Sequence, residues 1–242
     1  MSRGSKITLW AIGLLLLVFF IQFPLQQKEE AWTASSPWSL PLSGKTIVLD
    51  PGHGGVDGGA GQEGALEKDI ALTITKKLQH YLQQTGAIVY LTREEDVDLA
   101  EEDTQGYSRR KTEDIRNRLQ FIHDHEADFF VTLHLNALPS SEWRGAQTFY
   151  YPEFDESRHL AKMIQSEITR NLENTNRSTL ANNSMYLLKN AEVPGALVEA
   201  GFLSNREERE LLTQDKYQDQ MAASIYEGIL RYVTEEIEDP EE

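Results

Sequence analysis

The run Lys45-Thr46-Ile47-Val48-Leu49-Asp50 breaks into Pro51-Gly52-His53-Gly54-Gly55-Val56-Asp57-Gly58-Gly59-Ala60, and this junction limits the fold more than any other stretch of the chain. A short β-branched run ending in Pro-Gly reads as a buried strand. From Glu67 the apolar spacing Ile70, Ala71, Ile74, Leu78, Leu82 is helical, and Gly86 supplies the stop. The same alternation continues. AIVYLT (87–92), DFFVTLHL (128–135) and AQTFYY (146–151) read as strands, while Ile115, Leu119 and Ile122, and then Leu160 through Leu172, mark helix faces. MYLLK (185–189) and GALVEA (195–200) read as short strands, and Asn205 caps a final helical region through Tyr217, Met221, Ile225 and Ile229. Strands alternating with helices predict an α/β fold: a single layered domain with a mostly parallel twisted sheet flanked by helices.

Ahead of this domain, residues 7–23 carry no charge over seventeen positions, near the lower limit of about 17 for a membrane span. Arg3 and Lys6 precede them, so the expected order is a basic cytoplasmic start (1–6), a signal anchor (7–23), a linker (24–43), the domain proper (44–236) and an acidic tail (237–242). No convincing small-x-small cleavage site follows, which favours an uncleaved anchor over a removed signal peptide, and either way an extracytoplasmic domain.

Composition narrows the chemistry. With 23 Lys and Arg against 39 Asp and Glu, the chain repels a phosphate backbone, so nucleic acid is not an expected partner. The absence of cysteine removes thiolate nucleophiles and Cys-type zinc fingers, leaving His and carboxylates for any metal. The acidic runs 94–103 and 235–242 read as a solvated loop and tail, and neither has the spacing of a calcium loop.

Within the glycine loop, both nucleotide templates fail: no Lys-Ser/Thr follows the glycines, and Asp57 stands where a third glycine is required. The loop reads instead as tight, backbone-exposed chain that lets a bulky polymer approach His53. Glu67 opens the next helix, where an acid ordinarily complements the helix dipole. His134 closes an otherwise apolar strand, where a lone histidine is more often a satisfied core residue than a ligand. Glu199 is a carboxylate inside ALVEAGF, costly there unless paired or metal-bound. Ligand crevices of open α/β sheets lie at the carboxyl ends of strands, which brings these four together. Two histidines and a glutamate with an open position form a catalytic zinc set, with the second glutamate left as a base. His80 and His159 fall among polar helix positions, and His123 and His125 suit a helix end.

The blocks IVLDPGHGGVDGGA, GALEKDIAL, LTREED, ADFFVTLHLNA and PGALVEAGFLSN, in this order, resemble the zinc-dependent N-acetylmuramoyl-L-alanine amidases of the third amidase class across nearly all of residues 45–232. The resemblance implies Zn2+ held by His53, Glu67 and His134, and Glu199 as the catalytic residue. Arg93 and Arg118 match recurrent family arginines, with structural ion pairing as an equal reading. Asp50 and Asn136 are expected to orient the ligand rings, with loop hydrogen bonding as the alternative. The implied substrate is peptidoglycan, cut between N-acetylmuramic acid and L-alanine. The short anchored form is most similar to members acting in the spore cortex, which implies a forespore location and a muramic acid deacetylase acting on the product. Alternatives are a vegetative autolysin of the same activity, a different zinc peptidase, and an anchored peptidoglycan-binding protein without turnover.

Overall fold

A computed structural model describes residues 40–237. The expected anchor at 7–23 and most of the linker and acidic tail lie outside these residues. Among the described residues, no helix is long and apolar enough to cross a membrane.

Strands β1 (Thr46–Pro51), β4 (Ile88–Leu91), β5 (Phe129–Asn136), β6 (Gln147–Tyr150), β7 (Leu180–Ala181) and β8 (Gly195–Phe202) form one sheet in the order β4-β1-β5-β8-β6-β7. The β4-β1-β5-β8 half is parallel. Strand β6 runs antiparallel to β8 and brings β7 with it. A small hairpin, β2 (Gly61–Gln62) with β3 (Ala65–Leu66), leads into helix α1 (Glu67–Gln84). The α/β single domain expected from the alternation is therefore present.

The central strands are buried on both faces, which is why their sequences are almost continuously apolar. One face carries the larger core. Leu49, Val131, Leu133 and Val198 pack there against α1, α3 (Asp155–Leu172) and α6 (Asp215–Thr234), with α5 (Arg206–Leu212) close by. The other face, bearing Val48, Phe130 and Leu197, is covered among the described residues by two helices, α2 (Tyr107–Asp124) and α4 (Tyr186–Asn190). Truncating a fully buried ring such as Phe130 to alanine costs about 3–5 kcal/mol in sites of this kind. Because only α2 and the five-residue α4 pack on it, this second face stays accessible near the carboxyl ends of the parallel strands, and the polar residues collect there.

Several expectations are corrected. MYLLK is helix α4, not a strand: Asn182 Oδ1 accepts the Ser184 and Met185 N–H groups, and the turn so begun buries Leu187 and Leu188 together. A five-residue run is too short for periodicity to separate the two states. His159 is buried on α3, not among polar positions. Leu42, two residues before the expected domain start, is fully buried, and its N–H donates to Thr85 O. The acidic run 94–103 is more than solvated loop: Asp96 accepts the Gly55 N–H and Lys68 Nζ, and Asp98 pairs with Arg110.

Candidate metal centre

His53 leaves the end of β1 with a left-handed backbone, φ 60°, which costs a non-glycine residue roughly 1–2 kcal/mol. Two arginines hold the chain in that shape. Arg118 Nη1 and Nη2 donate to Pro51 O (2.8 Å) and His53 O (2.5 Å), and Arg93 Nε and Nη2 donate to Pro51 O (3.0 Å) and Gly52 O (2.9 Å). The loop therefore presents its imidazole rigidly, where a flexible loop would not.

Glu67 is the first residue of α1, where the helix dipole favours a negative charge. Its Oε2 accepts the Ala60 N–H at 2.7 Å, and its Oε1 accepts the Leu135 N–H at 3.0 Å. The same Oε1 lies 3.1 Å from His53 Nε2 and 2.9 Å from His134 Nδ1. Burial pushes this carboxyl up, but its bonds to His134 and His53 outweigh burial and hold it well below the usual carboxylate range. His53 itself is raised: burial opposes its charged form, and Glu67 and Asp57 overcome that.

One potential ligand atom from each of His53, Glu67 and His134 falls within 4.8 Å of the others. Neutral imidazoles and a carboxylate are the donor set of catalytic zinc sites. The surrounding glycines make the approach possible. A Cβ on Gly52 would meet the His134 ring at 2.3–2.6 Å, and one on Gly59 would meet Glu67 Oε2 at 2.5 Å and His53 Cδ2 at 2.7 Å. These residues fit a divalent metal.

Glu199 stands in register with His134 on the neighbouring strand, so the two side chains share the thinly covered face. Its Oε2 is buried without a hydrogen-bond partner. Burial pushes the Glu199 carboxyl up to about 7, with the histidines opposing and Glu67 adding to the rise. A carboxyl poised near neutrality can take up and release a proton during a reaction.

The remaining sequence-derived residues sit around this core. Asp50 does not hydrogen-bond either imidazole: it accepts Arg118 Nη1 (2.7 Å), Thr92 Oγ1 (2.6 Å) and Thr132 Oγ1 (2.7 Å). Burial raises its carboxyl, but Arg118 and the two hydroxyls outweigh that and hold it below the ordinary aspartate value. Burial lowers Arg93 to about 10, with neighbouring Arg118 adding to the fall. Asn136 follows a register shift in β5 and offers its carbonyl to the Leu203 N–H. Sequence reasoning missed Asp57, whose Oδ2 lies 3.0 Å from His53 Nδ1. Its four-residue spacing from His53 was the available signal. A cavity of about 210 Å³ opens beside the two histidines, with Lys111 and Arg118 on one wall and Met185, Tyr186 and Leu187 on the other.

Comparisons with known proteins identify the family. The profile of the N-acetylmuramoyl-L-alanine amidases matches residues 47–231. The chain is 49% identical over 241 residues, the full length of both proteins, to the germination-specific N-acetylmuramoyl-L-alanine amidase of Bacillus subtilis. It is 32% identical to the LytC amidase of the same organism, matching 79% of this chain but 36% of that longer protein. The CwlD amidase of Clostridioides difficile, solved in complex with the GerS lipoprotein, superposes with a TM-score of 0.77 at 41% identity, covering 79% of this chain and all of that one. AmiC2 of Nostoc punctiforme superposes with a TM-score of 0.68 at 33% identity, covering 79% of this chain and 99% of the other.

Proposed function

The chain belongs to the N-acetylmuramoyl-L-alanine amidase family and is an amidase of that specificity, and on that premise we propose that it works through one zinc ion held by His53, Glu67 and His134. Bound there, zinc supplies Lewis-acid chemistry: it polarises an amide carbonyl and makes water more acidic. The chain's own residues do the rest. Glu199 accepts the proton of the attacking water on its carboxylate and returns it to the departing L-alanine nitrogen, so the glycan keeps a free lactyl acid and the peptide leaves whole. Asp57 fixes the His53 ring from its other nitrogen. Arg93 and Arg118 hold the His53 loop through its carbonyls, and Asp50 keeps Arg118 in place. Asn136 ties the end of β5 to the chain after β8, its carbonyl accepting the Leu203 N–H.

The observation that carries the reading is the convergence of His53 and His134 on one oxygen of Glu67, with Glu199 in register beside His134. The direct test is metal analysis of the full chain and of His134→Ala. One zinc per chain, lost in the variant, is expected; zinc bound equally by both would place the metal elsewhere.

Residues 1–6, 7–23, 24–43, 44–236 and 237–242 are taken as cytoplasmic start, signal anchor, linker, catalytic domain and tail, with the domain outside the cytoplasm. Sedimentation with membranes, abolished by deleting residues 1–23, is the expected outcome. Full-length identity of 49% to a germination-specific amidase supports action on spore cortex, leaving lactyl carboxylates for a muramic acid deacetylase and lactam formation. Spores of a strain lacking the chain should have cortex without muramic lactam. Normal lactam with a defect confined to vegetative cell separation would favour the autolysin role. The complex formed by the C. difficile relative supports a lipoprotein as a binding partner here too, testable by co-purification from sporulating cells.

A further inference from the structure

Trp143 is half exposed in the connection between β5 and β6. Because β5 and β8 run parallel to β1 and β6 runs antiparallel to β8, this connection lies at the same sheet edge as the His53 loop. The Arg177 guanidinium carbon sits 5.5 Å from the centre of the indole and 5.3 Å from that of the Phe202 ring. Arg177 Nε donates to Arg144 O (3.1 Å) and its Nη1 to Gln147 Oε1 (3.2 Å). Gln147 is in turn the register partner of Glu199, as Glu199 is of His134. Cross-strand partners share a face, so His134, Glu199 and Gln147 stand side by side, and Arg177 links that row to Trp143.

We propose that Trp143, steadied by Arg177, is a subsite for a sugar ring of the glycan strand, away from the bond being cut. The indole offers a flat apolar plate with one side braced, the surface on which the C–H face of a pyranose stacks. The guanidinium is already engaged with two rings and two oxygens, which disfavours a role in capturing a peptide carboxylate. From Glu199 the row crosses one strand spacing, a glutamine side chain and the guanidinium, on the order of 15 Å. Neighbouring sugars of a glycan strand reach that distance, whereas the one sugar ring of a single muramyl peptide is held at the bond being cut. The proposal rests on the peptidoglycan substrate of the family, not on the assignment of the zinc ligands.

The test compares the unaltered full chain with Trp143→Ala and Trp143→Phe on two substrates, polymeric peptidoglycan strands and a single N-acetylmuramoyl peptide. The expected result for Trp143→Ala is a KM on the polymer raised roughly five- to tenfold, kcat within about twofold, and an unchanged KM on the single unit. Trp143→Phe should recover most of the loss. An unchanged polymer KM overturns the proposal, including the case in which Trp143 proves to contact a protein. An equal loss on both substrates overturns it too, since the residue then serves the reaction centre or the fold. Should the unaltered chain hydrolyse neither substrate, the catalytic reading fails separately, and binding of peptide-free glycan strands to the unaltered chain and Trp143→Ala still decides the subsite: weaker binding to the variant supports it, and equal binding overturns it.

Discussion

His53 Nδ1 lies 3.0 Å from Asp57 Oδ2, an arrangement that turns Nε2 toward Glu67. Asp57 also takes the Tyr107 hydroxyl (3.0 Å), Lys111 Nζ (3.0 Å) and the Gly59 N–H (3.1 Å). Burial raises this carboxyl, but the bonds from His53, Lys111 and Gly59 outweigh it and keep Asp57 ionised. A carboxylate behind a metal-binding histidine fixes the tautomer and the ring orientation. Asp57→Ala should therefore lower zinc affinity about 10- to 100-fold in competition with a chelator, with the fold retained. Unchanged affinity would show that the contact merely shapes the loop.

Glu199→Gln should keep its zinc and lose on the order of 10² to 10⁴ in rate, because the amide matches the carboxyl in shape but cannot take a proton. Single-turnover hydrolysis together with metal analysis separates the two effects. Turnover like that of the unaltered chain would assign the proton transfer to another group.

In the metal-free protein the same substitution should be stabilising at neutral pH. The Glu199 carboxyl is raised from 4.5 to about 7, so the folded state binds its proton more tightly than the unfolded state does. Its contribution is fully present below pH 4.5 and is lost as pH rises through about 7. The gap between Glu199→Gln and the unaltered chain should widen over that interval by about 3 kcal/mol, read by denaturant unfolding. A gap independent of pH would contradict the burial argument.

Asp50 acts with the opposite sign. Its folded carboxyl is held below 3.8, so its stabilisation is present above that value and is lost as pH falls through the lower folded value. Asp50→Asn should cost about 3–5 kcal/mol near pH 7, because it strips one carboxylate from the buried Arg118. Asp114 remains as the other partner, 3.0 Å from Arg118 Nε. A loss under about 1 kcal/mol would mean that Asp114 alone satisfies Arg118.

The local parts of this fold were legible because local rules govern them. The strand before Pro51, the helix after Glu67 and the buried strand holding His134 follow from periodicity and turn residues. Their common edge follows from parallel topology. What escaped reading depends on contacts made at a distance or on side-chain caps. Asn182 turns MYLLK into a helix, and Leu42 reaches the core through Thr85. Arg177 meets Gln147 thirty positions away in sequence, a pairing that no spacing rule anticipates. Asp57 was visible as a residue but not as a partner, because only the left-handed backbone at His53 swings the ring toward it.

The most direct test of the account is mass spectrometry of products from purified peptidoglycan digested by the full chain, before and after zinc is stripped. Zinc-dependent amidase action predicts intact stem peptides with free amino-terminal L-alanine, glycan strands keeping their lactyl groups, and loss of both products on stripping with recovery on adding zinc. Cleavage within the stem peptide, or undiminished release from metal-free protein, would contradict it.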